Sequence, residues 1–256
     1  MMILIIFIAG LFIGSFLNVL IDRLPKGENV ISGRSHCDFC RHKLAWYDLI
    51  PVFSFVALSA KCRYCGKKIS RQYPLSEIFT GFFLSFTAYV LFSQNIGVSD
   101  FQFLYWLLLT GCLIVVFGAD LKYRIIPDQI VLLMVISGFL YLFFFDINQF
   151  LNNFFSALAA FLIFLLLTVA TKGKGMGLGD VKFAFAMGLV LGYPAVIVSF
   201  YLAFLTGAVF SLILVIKGKK KMKSTIPFGP FLAAATYVSL LFGYSIWSFS
   251  IKFMGF

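Results

Sequence analysis

Two aspartates at the ends of apolar runs could carry acid–base chemistry. Asp180 ends the stretch Gly175-Met176-Gly177-Leu178-Gly179-Asp180, and Asp120 ends another apolar run in Gly118-Ala119-Asp120. A carboxylate at the edge of a hydrocarbon layer is energetically expensive, so it is a candidate functional group. Two carboxyls at close range share a proton; one can then activate water while the other donates to a developing oxyanion. The pair therefore predicts an aspartyl protease, and an ion or proton transporter is the alternative.

The residues around each aspartate refine this prediction. Gly177 and Gly179 carry no Cβ, so a substrate backbone could approach Asp180 closely. Asp120 is expected to end a helix, where the dipole disfavours an anion. That position favours a chemical role over a surface ion pair with Lys122 or Arg124, which remains the alternative. Asp128 follows a proline and has the ordinary interpretation of a carboxylate at a helix N-terminus.

Four of the five cysteines form two C-x-x-C pairs, whereas Cys112 lies in an apolar run as a small filler. The two pairs belong to a weak internal repeat, in which CDFCRHKL aligns with CRYCGKKI. Two similar turns with two thiolates each predict a tetrahedral zinc site, structural because no position stays open. A redox dithiol is the alternative. The ligands would be Cys37, Cys40, Cys62 and Cys65.

The elements that position these residues are predicted to be membrane-spanning helices. The chain has 256 residues, of which 61% are hydrophobic, and apolar runs of nearly 20 residues recur. This pattern predicts an all-α polytopic membrane protein and excludes a soluble fold. The eight predicted spans are 2–21, 75–93, 101–119, 125–145, 151–170, 181–192, 195–216 and 227–250. The first is predicted to be a retained span, and the sixth is short for a bilayer.

The basic residues fix the predicted orientation. With eight spans, 20 of the 21 lysines and arginines fall on one side, and Lys252 is the exception. The positive-inside rule then puts both termini outside, and the basic segments and both aspartates on the cytoplasmic side. Joining 181–216 into one kinked helix would move the lysines of 217–223 outside, which argues against seven spans. The net charge of +11 is thus explained by topology, and no nucleic-acid partner is expected.

The predicted organisation has three parts. Residues 1–21 form the first transmembrane helix, 22–74 a small cytoplasmic insert stabilised by zinc, and 75–256 the membrane domain with both aspartates. The insert is too small to bury a core of its own, so a metal would supply folding energy. Its apolar run 49–58 could lie at the membrane interface or pack on the membrane domain.

Several motifs together resemble one family. The G-x-G-D of 177–180 with an upstream D-x₆-P-D that starts at Asp120 is similar to the bacterial type IV prepilin peptidases. G-x-G-D alone also occurs in presenilin-like proteases. The segments 14–25, 71–77 and 226–231 and the paired C-x-x-C turns match the prepilin peptidases specifically, and the resemblance covers nearly the whole chain.

This resemblance implies a function and a set of roles. Asp120 and Asp180 would be catalytic, the four cysteines would hold zinc, and a prepilin or pseudopilin would be cut at the cytoplasmic face of the bacterial inner membrane. The cut typically follows a Gly. Members often also methylate the new α-amine with S-adenosylmethionine, and Glu77 and Lys61 are the methylation candidates by resemblance. Ala60 stands before Lys61, where relatives often have Gly.

Overall fold

The computed structural model describes residues 1–30, 33, 35–37, 39–93, 99–173, 175–217 and 226–253. This part of the chain is helical, with two isolated β-bridges and no strands, and the chain divides into two compact units, residues 1–111 and 112–256. Its α-helices are α1 (Met2–Arg23), α2 (Phe53–Ala57), α3 (Gln72–Ser93), α4 (Asp100–Tyr123), α5 (Asp128–Phe145), α6 (Phe150–Ala170), α7 (Leu178–Leu191), α8 (Ala195–Ile216) and α9 (Gly229–Phe253).

The predicted fold class is confirmed. Each of the eight predicted spans corresponds to one helix, with ends that agree within a few residues. Among the described residues, seven helices are long and apolar enough to cross a membrane, and α7, with 14 residues, is not one of them. The predicted turn at 94–100 and the basic loop at 217–223 lie mostly outside the described residues. The division into 1–21, 22–74 and 75–256 stays a prediction.

In the first unit, α1 and α3 pack closely because of glycines. A Cβ on Gly10 would lie 2.7 Å from the Cα of Gly81, and one on Gly14 would lie 2.8 Å from the Cα of Glu77. The small-xxx-small spacing on α1 therefore brings two backbones together, as this spacing does in membrane helix pairs. The insert joins the two helices, so it is tied at both ends to this pair.

The second unit is built on the short helix α7. Nine of its 14 residues are buried, and it contacts α5, α6, α8 and α9. A helix enclosed by protein does not need to match the bilayer thickness, since non-helical backbone at membrane depth is tolerated where protein covers it. The shortness of the sixth span thus follows from its central place in the unit.

Two asparagines of α6 complete the end of α7. Asn153, which is buried, donates its side-chain amide to the carbonyl of Leu189 at 2.8 Å. Asn152 donates to the carbonyl of Tyr193 at 3.0 Å. The last carbonyls of a helix lack partners within the helix, so these amides let α7 end inside the protein. Sequence reasoning did not identify this pair.

Candidate active site and metal site

Asp120 lies in the last turn of α4 and is buried, with 6% of its surface exposed. Its Oδ2 accepts a hydrogen bond of 2.9 Å from the backbone N–H of Gly229, the first residue of α9. The first N–H groups of a helix have no partner within the helix, and the helix dipole favours an anion there. Asp120 therefore lies at the C-terminal end of α4 and also caps the N-terminus of α9. The sequence indicated only the first of these positions, where the helix dipole disfavours an anion.

Asp180 is held in the same way at another helix start. It is the third residue of α7 and is buried, and its Oδ2 accepts the N–H of Gly177 at 2.9 Å. In return, its own N–H donates to the Gly177 carbonyl at 3.1 Å. This reciprocal arrangement is a capping box without a side chain at the N-cap. Both aspartates are thus oriented by backbone donors of helix N-termini.

The second unit brings the two carboxylates together. Asp120 and Asp180 are close enough for the charge of one to act on the other, and Arg124 also acts electrostatically on Asp120. The alternative of an exposed aspartate paired with a neighbouring cation does not hold, because Asp120 is buried. Two neighbouring carboxyls, each with one oxygen fixed by a backbone N–H, form a possible acid–base pair.

The two glycines before Asp180 have different surroundings. Gly177 is exposed, and a Cβ there would meet only Asp180 and the Gly179 backbone within 4 Å. A Cβ on Gly179 would lie 3.4 Å from the Cβ of Ile126, so Gly179 lets α7 pack against the α4–α5 connection. Of the two positions, Gly177 leaves the more open space beside the carboxylate.

A salt bridge connects the start of α7 to the start of α5. Lys182 Nζ lies 3.0 and 2.8 Å from the two carboxylate oxygens of Asp128. Asp128 is the first residue of α5, as its helix N-terminal interpretation predicted. Both side chains are more than half exposed, so the pair orients the helices more than it stabilises the fold.

A groove of about 640 Å³ is lined in part by the last turns of α4, the helix that carries Asp120. Its walls come from the end of α4, from α8 and from the start of α9, including Pro227 and Pro230 on either side of the capping Gly229. Among the residues that the structure describes, the lining is mainly apolar, and Arg124 is the one charged side chain in it. Arg124 also has a positive φ of 57° directly after α4, a conformation that non-glycine residues rarely adopt.

In the first unit, the two C-x-x-C turns have the same backbone structure, which confirms the repeat. Each first cysteine N–H bonds a carbonyl five residues on: Cys37 to His42 at 3.0 Å and Cys62 to Lys67 at 2.8 Å. Each first cysteine carbonyl also accepts the N–H four residues on, from Arg41 or Gly66, at 2.9 Å. These two residues share a left-handed conformation, with φ of 57° and 68°.

The four predicted cysteines come together. Their sulfur atoms all lie within 4.8 Å of one another, and the Sγ atoms of Cys37 and Cys65 are 3.9 Å apart. In a tetrahedral site with Zn–S bonds of about 2.3 Å, the sulfurs lie roughly 3.8 Å apart. Four thiolates at this spacing have the donor set and geometry of a structural zinc site. Cys112 is buried in α4 and is not one of the four clustered cysteines, as expected.

Asp48 connects the segment between the two C-x-x-C turns, which we call the first knuckle (37–44) and the second knuckle (62–69), to the second knuckle. It accepts hydrogen bonds from Arg63 Nε at 2.8 Å, from the Ala45 N–H at 3.2 Å and from the Tyr64 hydroxyl at 3.2 Å. Burial alone would raise the pKa of Asp48, but these three bonds outweigh it and leave the pKa below its usual value. The ionised Asp48 thus supports the arrangement of the metal site.

The two methylation candidates lie in different settings. Glu77 is buried in α3, and its Oε2 accepts the N–H of Val52 at 2.8 Å. Lys61 is exposed in the second knuckle, where it forms an isolated bridge with Lys68. Sequence reasoning missed the Val52 contact, because 25 residues separate its partners.

We expect Gly229→Ala to destabilise the protein, because the new methyl would lie 2.7 Å from Asp120 Oδ2. Overpacking of this kind costs about 1–3 kcal/mol, which thermal unfolding of the purified chain in detergent would measure as a lower Tm. Gly111→Ala is the matched control in α4, since the nearest atom to its methyl would be 3.9 Å away. Equal Tm values for the two variants would contradict the tight contact at Asp120.

We expect Cys62→Ser to lower the zinc content of the purified protein, because it removes one of four thiolate ligands. Elemental analysis measures this, and limited proteolysis of the insert should become faster as metal binding and folding are coupled. The control is Cys112→Ser, another buried cysteine outside the cluster, which should keep the wild-type metal content. A wild-type protein without zinc or another thiophilic metal would refute the site.

Comparison with protein families gives two consecutive matches. Residues 8–91 match the Bacterial Peptidase A24 N-terminal domain, and residues 107–212 match the Type IV leader peptidase family. No solved structure matches the chain.

Relatives similar to the chain cover almost its full length. A protein of Bacillus subtilis is 32% identical over 97% of both chains, and one of Aeromonas salmonicida is 33% identical over 94% of this chain and 91% of its own. A protein of Pseudomonas aeruginosa is 30% identical over 96% of this chain and 92% of its own. All three are named prepilin leader peptidase/N-methyltransferase. The chain belongs to the type IV leader peptidase family.

Proposed function

We propose that this protein cleaves the leader peptide of prepilins or pseudopilins with Asp120 and Asp180, and methylates the new N-terminal amine. One observation carries the proposal: two buried, interacting carboxylates are each fixed by a helix N-terminus. The names of the relatives supply the substrate class and the second activity. A transporter would also use two acidic groups, but family membership favours the peptidase.

The arrangement supports hydrolysis by a water molecule between the carboxyls. One carboxylate accepts a proton from the water while the water oxygen attacks the peptide carbonyl. The protonated partner donates its proton to the developing oxyanion. The C–N bond then breaks as the first carboxyl gives its proton to the leaving amine, and the second carboxylate takes a proton back from the diol intermediate, which restores the starting state of the pair. The two aspartates titrate as a pair, so the roles belong to the dyad rather than to either residue. The N–H groups of Gly229 and Gly177 keep Oδ2 of Asp120 and Oδ2 of Asp180, respectively, in place.

The membrane orientation follows from the charge distribution. With eight crossing helices, the positive-inside rule puts both termini outside, and the cysteine cluster and the dyad at the cytoplasmic face of the inner membrane. The start of α7 then meets the cytoplasm, which is where a leader peptide would arrive. The exposed Gly177 leaves room for the substrate backbone beside Asp180.

Methylation and metal binding complete the proposal. S-adenosylmethionine would supply the methyl group, and zinc on the four cysteines would hold the insert together. The buried Glu77 is fixed by the Val52 N–H, so its contribution to methylation would act through a carboxylate that is already oriented. Lys61 is exposed and free to meet a ligand from solvent.

The groove at the end of α4 is suited to the apolar stem of the substrate. Its lining includes Leu121 and Arg124, which follow Asp120 in the sequence, and apolar parts of α8 and α9. A stem held there would place the bond to be cut next to the dyad. Arg124, a cation in this lining, would contact the polar leader next to the apolar stem.

We expect Asp120→Asn and Asp180→Asn to lower prepilin cleavage by about a thousand-fold each, since each removes a proton-transfer group. The change in gel mobility of a co-expressed prepilin measures its cleavage. The expression and metal content of both variants should stay as in the wild type. Asp146→Asn, in the connection after α5, is the control and should cleave normally. Normal cleavage by either of the first two variants would refute the dyad, and both should still methylate a pre-cleaved pilin.

We expect Ala234→Trp to fill the groove and weaken cleavage of a prepilin with its full apolar stem by about tenfold, equal to about 1.4 kcal/mol of binding. Ala234 is exposed and lines the groove, so the larger side chain replaces no core contact. Cleavage of a short peptide without the stem should stay unchanged. Ala208→Trp, an exposed alanine of α8 outside the groove, is the control. Equal losses on both substrates would argue against stem binding.

A further inference from the structure

The insert exposes an unusual number of large apolar side chains for a small polar module. A 3-10 helix, Trp46–Leu49, and α2 contact each other between the two knuckles. Three side chains of this helical pair are largely exposed: Trp46 at 77%, Phe53 at 67% and Val56 at 69%. Contiguous exposed apolar groups of this kind mark a surface that contacts a protein or a membrane. We call these three residues the apolar face of the insert.

Glu77 fixes the position of the apolar face along the membrane-spanning helices α1 and α3. The Val52 N–H donates to Glu77 Oε2 at 2.8 Å, directly before Phe53. Glu77 is five residues after the start of α3, about 7.5 Å along the helix axis. It also packs against Gly14 of α1, nine residues before α1 ends. The turn at Val52 therefore lies beside the membrane-spanning pair, not beyond its end.

The backbone at Val52 supports a fixed position. Its φ is 60° and its ψ is −47°, and the Phe53 N–H bonds the Pro51 carbonyl, which together form a γ-turn. This conformation is rare and strained, above all for a β-branched residue. Strained backbone persists where its surroundings hold it in place. The carboxylate of Glu77 accepts the hydrogen bond that holds this turn against α3.

The charges around the apolar face complement a lipid surface. Segment 22–74 contains ten basic and four acidic residues. Arg63 lies 5.0 Å from the ring centre of Tyr47, and Lys67 lies 5.4 Å from that of Phe39, so cations and aromatic rings alternate on the knuckles. Aromatic residues favour the membrane interface, and clustered cations attract anionic headgroups. A protein partner would need no such excess of positive charge.

We propose that the insert is a membrane-docking element, in which the apolar face enters the bilayer interface and the surrounding cations contact anionic lipid headgroups. Interfacial segments bury their apolar side about 5–10 Å into the boundary between headgroups and acyl chains. The Val52–Glu77 contact lies about 7.5 Å along α3 from its start, so it holds the apolar face beside the membrane-spanning helices rather than beyond them. Docking would restrain the knuckles against the surface of the membrane.

Depth-dependent fluorescence quenching of the full-length protein in vesicles tests the proposal. Trp46, Trp106 and Trp247 are replaced by Phe, and Phe53→Trp supplies the only indole. In vesicles of phosphatidylcholine with phosphatidylglycerol, we expect lipids brominated near the headgroup to lower its emission about twofold, and more than lipids brominated near the chain ends. Lys43→Trp in the same background is the comparison, an exposed position of the first C-x-x-C turn outside the apolar face, and bromolipid should lower its emission less than that of position 53.

Each other outcome decides against the proposal. An indole at position 53 that acrylamide reaches and bromolipid does not quench would show that the insert stays in water. An indole shielded from both quenchers would show that protein covers the face. Equal quenching in pure phosphatidylcholine would refute the role of anionic headgroups. Zinc content serves as the folding control for each variant, and cleavage of a prepilin is not needed for any of these measurements.

Discussion

A buried carboxylate in a membrane helix bundle needs hydrogen-bond donors, and in this protein helix N-termini supply them. Asp120 takes its donor from the start of α9, and Asp180 takes its donor from the start of α7. These N–H groups would otherwise lack partners, so each contact satisfies a helix end and orients a carboxylate at once. The architecture of the second unit follows from this requirement, because α4, α7 and α9 must have their ends near one another.

The same principle explains the opposite end of α7. A helix that starts at the dyad and has only 14 residues must end within the protein. At the end of a surface helix, water would donate hydrogen bonds to the free carbonyls. Here the side-chain amides of Asn153 and Asn152 of α6 donate to carbonyls at and just after the end of α7. Both ends of α7 are therefore completed by specific contacts, and its burial by four neighbouring helices supplies the rest. The helix can be this short because neighbouring helices enclose it.

Hydrophobic runs and charge counts predicted the helices, because each depends on properties of consecutive residues. The C-x-x-C repeat was also readable, and it led directly to a cluster with sulfurs within 4.8 Å. The contacts that complete the sites were not readable, because their partners are far apart in the chain. The Asp120–Gly229 bond joins residues 109 positions apart, and the Asn153–Leu189 bond joins residues 36 apart. Only the folded chain shows which side chain meets the start of α9.

Glycine illustrates why a short motif is a weak guide to a site by itself. Gly177 leaves open space beside Asp180, whereas Gly179, in the same motif, is a packing residue against Ile126. Gly229 lies outside that motif, yet its missing Cβ allows the closest contact with a dyad carboxylate. Since the absence of a side chain serves access, packing and capping alike, the type of residue does not reveal which one applies. The distance from the missing Cβ to the neighbouring atom reveals it. By that distance, Gly229 belongs to the site as much as Gly177 and Gly179 of the G-x-G-D motif do.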